Sequence, residues 1–258
     1  MNLNQQHKLF VVTGATSGFG LATAQALLAE GALVIAVARG QEKLQALAAQ
    51  YPDQVETLSG DITLETTIAQ LLTQIAERPI AGLFVNAGGP PAKTFQQTQL
   101  ADWDAAYTQI LRWKVALTQA LLPNFQAQQY GRIVYIESSS VKQPIPNLVL
   151  STSLRLAVVG FVKTLSQDLL SQGITLNIIA PGYHRTPALD RLFVQNAQQN
   201  NSTVPAEIEK FESTLKIGKL GNPDNLGSLA AWLLSEKSAY ISGQTISVDG
   251  GVIQFTMG

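Results

Sequence analysis

Between Leu9 and Val248 the chain alternates short apolar runs with longer stretches of helical periodicity. That alternation constrains the fold more than any other feature. Leu9-Phe10-Val11-Val12, Leu33 to Ala38, Val55 to Leu58, Ile80 to Val85, Arg132 to Ile136, Ile174 to Ile179 and Thr245 to Val248 read as strands. Most are apolar at nearly every position, not at every second one, as happens when both faces of a sheet are covered. Helices are expected at Leu21–Glu30, Gln41–Gln50, Leu64–Glu77, within Trp103–Gln129, at Leu150–Leu170 and at Asp224–Leu234. Strands and helices in strict turn predict an α/β fold, a doubly wound parallel sheet of Rossmann type. No linker or repeat interrupts the pattern, so residues 1–258 are read as a single dinucleotide-binding domain. The stretch 183–217, with Asn200, Asn201 and Pro205, reads as irregular and is long enough for a substrate lid. Leu189, Leu192 and Phe193 would give that lid a partly apolar pocket.

Composition narrows the function classes. The formal net charge is −1, with no basic stripe of the kind that binds nucleic acid. There are no cysteines, which excludes disulfides, thiolate catalysis and cysteine-bound metal. Two isolated histidines make no metal cluster, so no metal is expected. No uninterrupted apolar run reaches the roughly 18 residues of a membrane span, and Met1 to His7 lack a signal core. A cytoplasmic protein without a membrane partner is the expectation.

The first expected strand ends in Thr13-Gly14-Ala15-Thr16-Ser17-Gly18-Phe19-Gly20, which opens the first helix. Glycines there permit a tight turn and close approach of a diphosphate, and the helix N-terminus supplies unpaired N–H groups. The second strand ends at Ala38 and is followed by Arg39. A carboxylate at that end would bond the ribose 2′-hydroxyl of NAD, whereas an arginine fork suits the 2′-phosphate of NADP(H). Arg39 could otherwise be an ordinary solvated loop residue.

Further motifs fall in order along the chain: Asp61-Ile62, Asn86-Ala87-Gly88, Pro181-Gly182 with Thr186, and Ser242-Gly243-Gln244 followed by Val248-Asp249-Gly250-Gly251. With the glycine turn they resemble the short-chain dehydrogenase/reductase family from about Lys8 to the end. The resemblance implies a cofactor site of Gly14, Thr16, Ser17, Gly18, Phe19, Gly20, Arg39, Asp61, Ile62, Asn86, Ala87, Gly88, Arg155, Pro181, Gly182, His184 and Thr186. It also implies a carbonyl or secondary alcohol as substrate, and a homodimer or homotetramer built on the two long central helices. Leu117, Leu121, Val158, Phe161 and Leu165 of those helices would serve that interface or the sheet face, the sheet face being the expected role.

In the family a serine, a tyrosine and a lysine four residues on, with an asparagine before them, move the proton while the nicotinamide carries the hydride. Ser138 matches the serine. Ser151, Arg155 and Ile110 stand at the tyrosine, lysine and asparagine positions. A serine hydroxyl is a far weaker acid than a phenol, and arginine stays protonated. Arg155 can still stabilise a developing oxyanion or bond the nicotinamide ribose. Ser138, Ser151 and Arg155 are therefore the candidate catalytic groups, with the proton coming from water, Tyr183 or His184. The Ser151-x-x-x-Arg155 pair, with Gly89-Pro90-Pro91 and Ser140 to Pro146, resembles an atypical β-ketoacyl-reductase-like subgroup. Lys142 is a further cation near the expected pocket mouth, or a solvated loop lysine. The alternative is an NADP(H)-binding sensor, partner subunit or pseudoenzyme with little catalysis.

Overall fold

The computed structural model describes residues 2–256. In chain order its elements are β1 (Leu9–Thr13), α1 (Gly18–Ala29), β2 (Leu33–Ala38), α2 (Gln41–Gln50), β3 (Val55–Ser59), α3 (Glu65–Ile75), β4 (Ile80–Val85), α4 (Leu100–Tyr107), α5 (Trp113–Ala127), β5 (Gly131–Ile136), α6 (Val149–Leu169), β6 (Ile174–Pro181), α7 (Pro187–Gln199), α8 (Val204–Glu212), α9 (Pro223–Leu233) and β7 (Thr245–Val248). The strands form one seven-stranded sheet in the order β3-β2-β1-β4-β5-β6-β7, every pair parallel.

Period-two alternation sends each strand's residues to both faces, and both are covered. Phe10, Val12, Val34 and Ala36 pack with Leu27, Leu226 and Ala230 of α1 and α9. Leu9, Val11, Ile35 and Val37 pack on the other side with Leu71, Trp113, Leu117 and Val158 of α3, α5 and α6. Leu117, Leu121 and Val158 are buried in that second layer, and Phe161 and Leu165 pack against it. These positions serve the sheet, as expected.

Two expectations change. The stretch 183–217 is not irregular, since most of it forms α7 and α8. Thr186 and Thr203 cap these helices, accepting from the N–H groups of Leu189 and Ala206, and each has a proline in its first turn. Such Thr-then-Pro starts are ordinary helix signals, here masked by a polar composition. Phe193 is buried in a small core with Ile208 and Leu220, Leu189 packs against that core, and Leu192 is exposed. The long helical stretch around Trp103–Gln129 is also not continuous. It begins at Leu100 and passes through a π-helical turn, Thr108–Arg112, before α5. Such turns re-aim the residues after them.

By length and composition α6 with the turn after it, Val149–Gln172, is long and apolar enough to cross a membrane, and 28% of its most apolar window is buried. Arg155 and Lys163 interrupt its apolar residues, so no uninterrupted apolar run marks it in the sequence.

Candidate active site

Strand order reverses at β1, which has β2 on one side and β4 on the other. Loops leaving the C-terminal ends of these strands diverge to opposite faces and open a crevice, the usual ligand position in such sheets. Thr13 ties its two walls together. Its Oγ1 donates to the carbonyl of Asn86 at 2.8 Å and accepts from the Asn86 N–H at 2.8 Å. The glycine turn then packs tightly. A Cβ on Gly20 would lie 2.1 Å from the Gly14 carbonyl oxygen, and one on Gly14, whose φ is +65°, would lie 2.7 Å from Asn86 Nδ2. Only glycine leaves this turn intact. Ser17 sits at the N-cap of α1 with no side-chain capping bond, which leaves its exposed hydroxyl available. Thr16 is half-buried beside it.

Two of the remaining cofactor candidates, Thr186 and His184, pack on this turn. Thr186 lies over Gly18, where an added Cβ would meet its Cγ2 at 3.4 Å. His184 stands edge-on to Phe19 with ring centroids 5.1 Å apart. Pro181 ends β6 beside Val248, and Gly182 packs on Asp249. Ala87 packs on the second core layer and Ile62 is buried in it. Asp61 folds its Oδ1 back onto the N–H and hydroxyl of Thr63, leaving Oδ2 without a bond. Gly88 continues the loop from Asn86, and nothing would meet a Cβ there. Arg39 is exposed at the end of β2, across the turn. The close-packed turn of Gly14 and Gly20 beside Asn86, with Thr186 over Gly18, leaves room for backbone approach of a diphosphate.

At the end of β5 the site takes an unforeseen form. Arg155, on the second turn of α6, donates from Nε to Ser151 Oγ at 3.0 Å and from Nη1 to Glu137 Oε2 at 2.9 Å. Its Nη2 would meet a Cβ on Gly89 at 3.0 Å, so the guanidinium lies against the loop that carries Asn86 to Gly88. The second oxygen of Glu137 binds Lys114 of α5. The Glu137 side chain is fully buried and that of Lys114 is 4% exposed. Desolvation pulls the Lys114 ammonium down to about 8, with Glu137 opposing and Arg155 adding to the shift. Sequence reasoning missed this cluster. The available signal was a lysine on the buried stripe of a helix, four residues after Ile110 and three before Leu117. A carboxylate directly after an apolar strand was the other.

Ser138 caps the short helical turn Ser139–Val141 by accepting from the Ser140 N–H at 3.1 Å. Its hydroxyl proton stays free to donate, as does that of Ser151. Ile110 is buried in the core, so no polar group is presented from that position. The proposed proton donors fare differently. His184 Nδ1 lies 3.3 Å from the Gly182 carbonyl, and its ring rests on Gly221. Burial pushes its pKa below the usual imidazole range. A neutral ring donating to that carbonyl keeps no proton for a substrate. Tyr183 turns to Phe211 of α8, with centroids 4.9 Å apart. Lys142 is half-buried in the loop after β5. Among the described residues no cluster of three or more His, Asp or Glu could hold a metal ion.

A family model described as enoyl-(acyl carrier protein) reductase matches residues 14–253. Dehydrogenase/reductase SDR family member 6 of Rattus norvegicus is 31% identical over 246 residues, covering 95% of this chain and 96% of that protein. The 3-oxoacyl-[acyl-carrier-protein] reductase FabG of Haemophilus influenzae is 30% identical over 249 residues, 96% of this chain and 98% of its own. Among solved structures, YwfH, an NADPH-dependent reductase involved in bacilysin biosynthesis, superposes with a TM-score of 0.90 at 26% identity, covering 97% of this chain and 100% of its own.

Proposed function

The chain belongs to the short-chain dehydrogenase/reductase family, and from that premise we propose that it is an NADP(H)-dependent reductase of a carbonyl/secondary alcohol pair. A 3-oxoacyl-type substrate is favoured by the likeness to FabG, and NADP(H) by the likeness to YwfH and by Arg39 at the end of β2. The glycine turn, Asp61, Asn86 to Gly88, Pro181, Gly182, His184 and Thr186 would hold the cofactor. Bound there, NADPH supplies the hydride.

One observation carries the catalytic proposal. Arg155 is held by Glu137 and Ser151 against the Gly89 loop, at the crevice where a carbonyl would meet the nicotinamide. Its positive charge stabilises the oxyanion that forms as the carbonyl is reduced. Ser138 and Ser151 orient the same oxygen by hydrogen bonding. The proton arrives from water, since arginine does not release one. Ser151, Arg155 and Ile110 thus replace the tyrosine, lysine and asparagine expected from the family resemblance. Keeping three charged side chains in so dry a place is costly, and removing the shared carboxylate of Glu137 would strand both cations. That favours a working site over the pseudoenzyme or sensor alternative.

The helices α7 and α8 act as the substrate lid. Two or four copies associate through the outward face of α6, where Leu156, Ala157 and Gly160 are exposed. Such a pairing covers the apolar helix without a membrane and suits a cytoplasmic enzyme with no nucleic-acid partner.

The test is to titrate the protein with NADPH and NADH by fluorescence, then follow NADPH oxidation across a panel of ketones and 3-oxoacyl thioesters. Binding of NADPH with oxidation by at least one carbonyl is expected. Tight binding with no oxidation by any would favour the sensor.

A further inference from the structure

We propose that Lys114 and Glu137 are positioning residues that keep Arg155 aimed and electropositive at the reacting carbonyl. This rests on Arg155 acting as proposed above. Three elements supply the three groups: α5 gives Lys114, the end of β5 gives Glu137, and α6 gives Arg155. The carboxylate of Glu137 divides its two oxygens between two cations, Oε1 to Lys114 and Oε2 to Arg155. With both oxygens engaged, its plane cannot turn. Arg155 then has Nε on Ser151 and Nη1 on Glu137 and on the carbonyl of Ile136, the last at 3.4 Å. Only Nη2 is left facing the Gly89 loop.

Lys114 also sets the charge. Two cations share one carboxylate, so the protonated cluster keeps an excess positive charge beside the crevice. Without the ammonium, Glu137 belongs to Arg155 alone and neutralises it, which weakens its pull on an oxyanion. Trp113 stacks on the ammonium at 5.8 Å, and Tyr135, which burial holds neutral, is hydrogen-bonded to Thr118 nearby. Lys114 releases its proton at about 8, so the charge of the cluster changes within an accessible pH range.

The test compares wild type, Lys114→Met and Glu137→Gln at saturating NADPH. Lys114→Met should lower kcat about 100-fold, the scale of a misaligned catalytic group, and leave NADPH affinity unchanged. Wild-type kcat should fall as pH rises through about 8, and the variant should lose that step. Glu137→Gln should lower kcat similarly. Wild-type kcat and an unchanged pH profile in Lys114→Met, with Arg155→Ala inactive, would overturn this role alone. Turnover intact in Arg155→Ala would instead overturn the catalytic role of Arg155. A readout independent of turnover and of variant folding is the ¹⁵N signal of Arg155 Nε–H in the NADPH-bound wild type. Its chemical shift should move with a midpoint at about 8 as Lys114 deprotonates. A signal indifferent to pH from 7 to 9.5 would contradict the proposal.

Discussion

Nη1 of Arg155 and Oε2 of Glu137 lie 2.9 Å apart, with the Glu137 side chain fully buried and that of Arg155 only 12% exposed. One carboxylate thus answers two interior cations, the other being Lys114. Removing it strands both charges, and breaking a buried pair in this way costs about 3–5 kcal/mol. Glu137→Ala should therefore lose that much stability in urea unfolding. A loss under about 1 kcal/mol, typical of an exposed pair, would mean that the cluster is wet.

The same cluster makes stability depend on pH in a definite sense. The unfolded chain binds a proton at Lys114 up to the ordinary value of 10.5, while the fold gives it up at about 8. Between those values the unfolded state holds more protons, so raising the pH stabilises the fold. The full relief is present above the ordinary value and is lost as pH falls to about 8. Relative to Lys114→Met, wild type should gain on the order of 3 kcal/mol across this window. Urea unfolding at pH 7.5, 9 and 10.5 measures it, and a flat difference would contradict the assignment.

Arg39 is exposed just after β2, the end of the strand proposed to meet the 2′-phosphate. Arg39→Glu removes a charge-assisted bond and adds repulsion. NADPH affinity should fall roughly 10- to 100-fold, the worth of such a bond, while NADH binding holds or improves. Fluorescence titration of both nucleotides distinguishes this from a bystander arginine, whose replacement would change neither.

Helices α7 and α8, the proposed lid, share a small core in which Phe193 and Ile208 meet Leu220. Phe193→Ala should cost that unit about 3–5 kcal/mol without touching the layers that flank the sheet. Limited proteolysis should then cut between residues 187 and 212, and KM for the carbonyl should rise. Unchanged cleavage and KM would separate α7 and α8 from substrate binding.

The sheet was legible because each strand carries its burial in its own residues: Phe10 and Val12 on one face, Val11 on the other. The cofactor turn was legible because Gly14 and Gly20 stand where no side chain fits. Helices α7 and α8 were obscured because Phe193 and Ile208 make a sparse apolar stripe within a polar stretch. Lys114 was obscured for a different reason. A lysine in a helix ordinarily reaches solvent, and only the approach of β5 to α5 and α6 brings Glu137 between two cations. That is a contact among segments far apart in sequence, which local periodicity does not report.

The central claim is that Arg155 supplies the charge that stabilises the reacting oxygen. The direct measurement is kcat for NADPH-dependent carbonyl reduction at saturating cofactor in wild type and Arg155→Ala, with NADPH affinity taken in parallel. Arg155→Ala should lose about 100- to 1,000-fold in kcat, the scale of removing one oxyanion contact, with NADPH affinity held within a few-fold. Arg155→Ala turning over at the wild-type rate would contradict it.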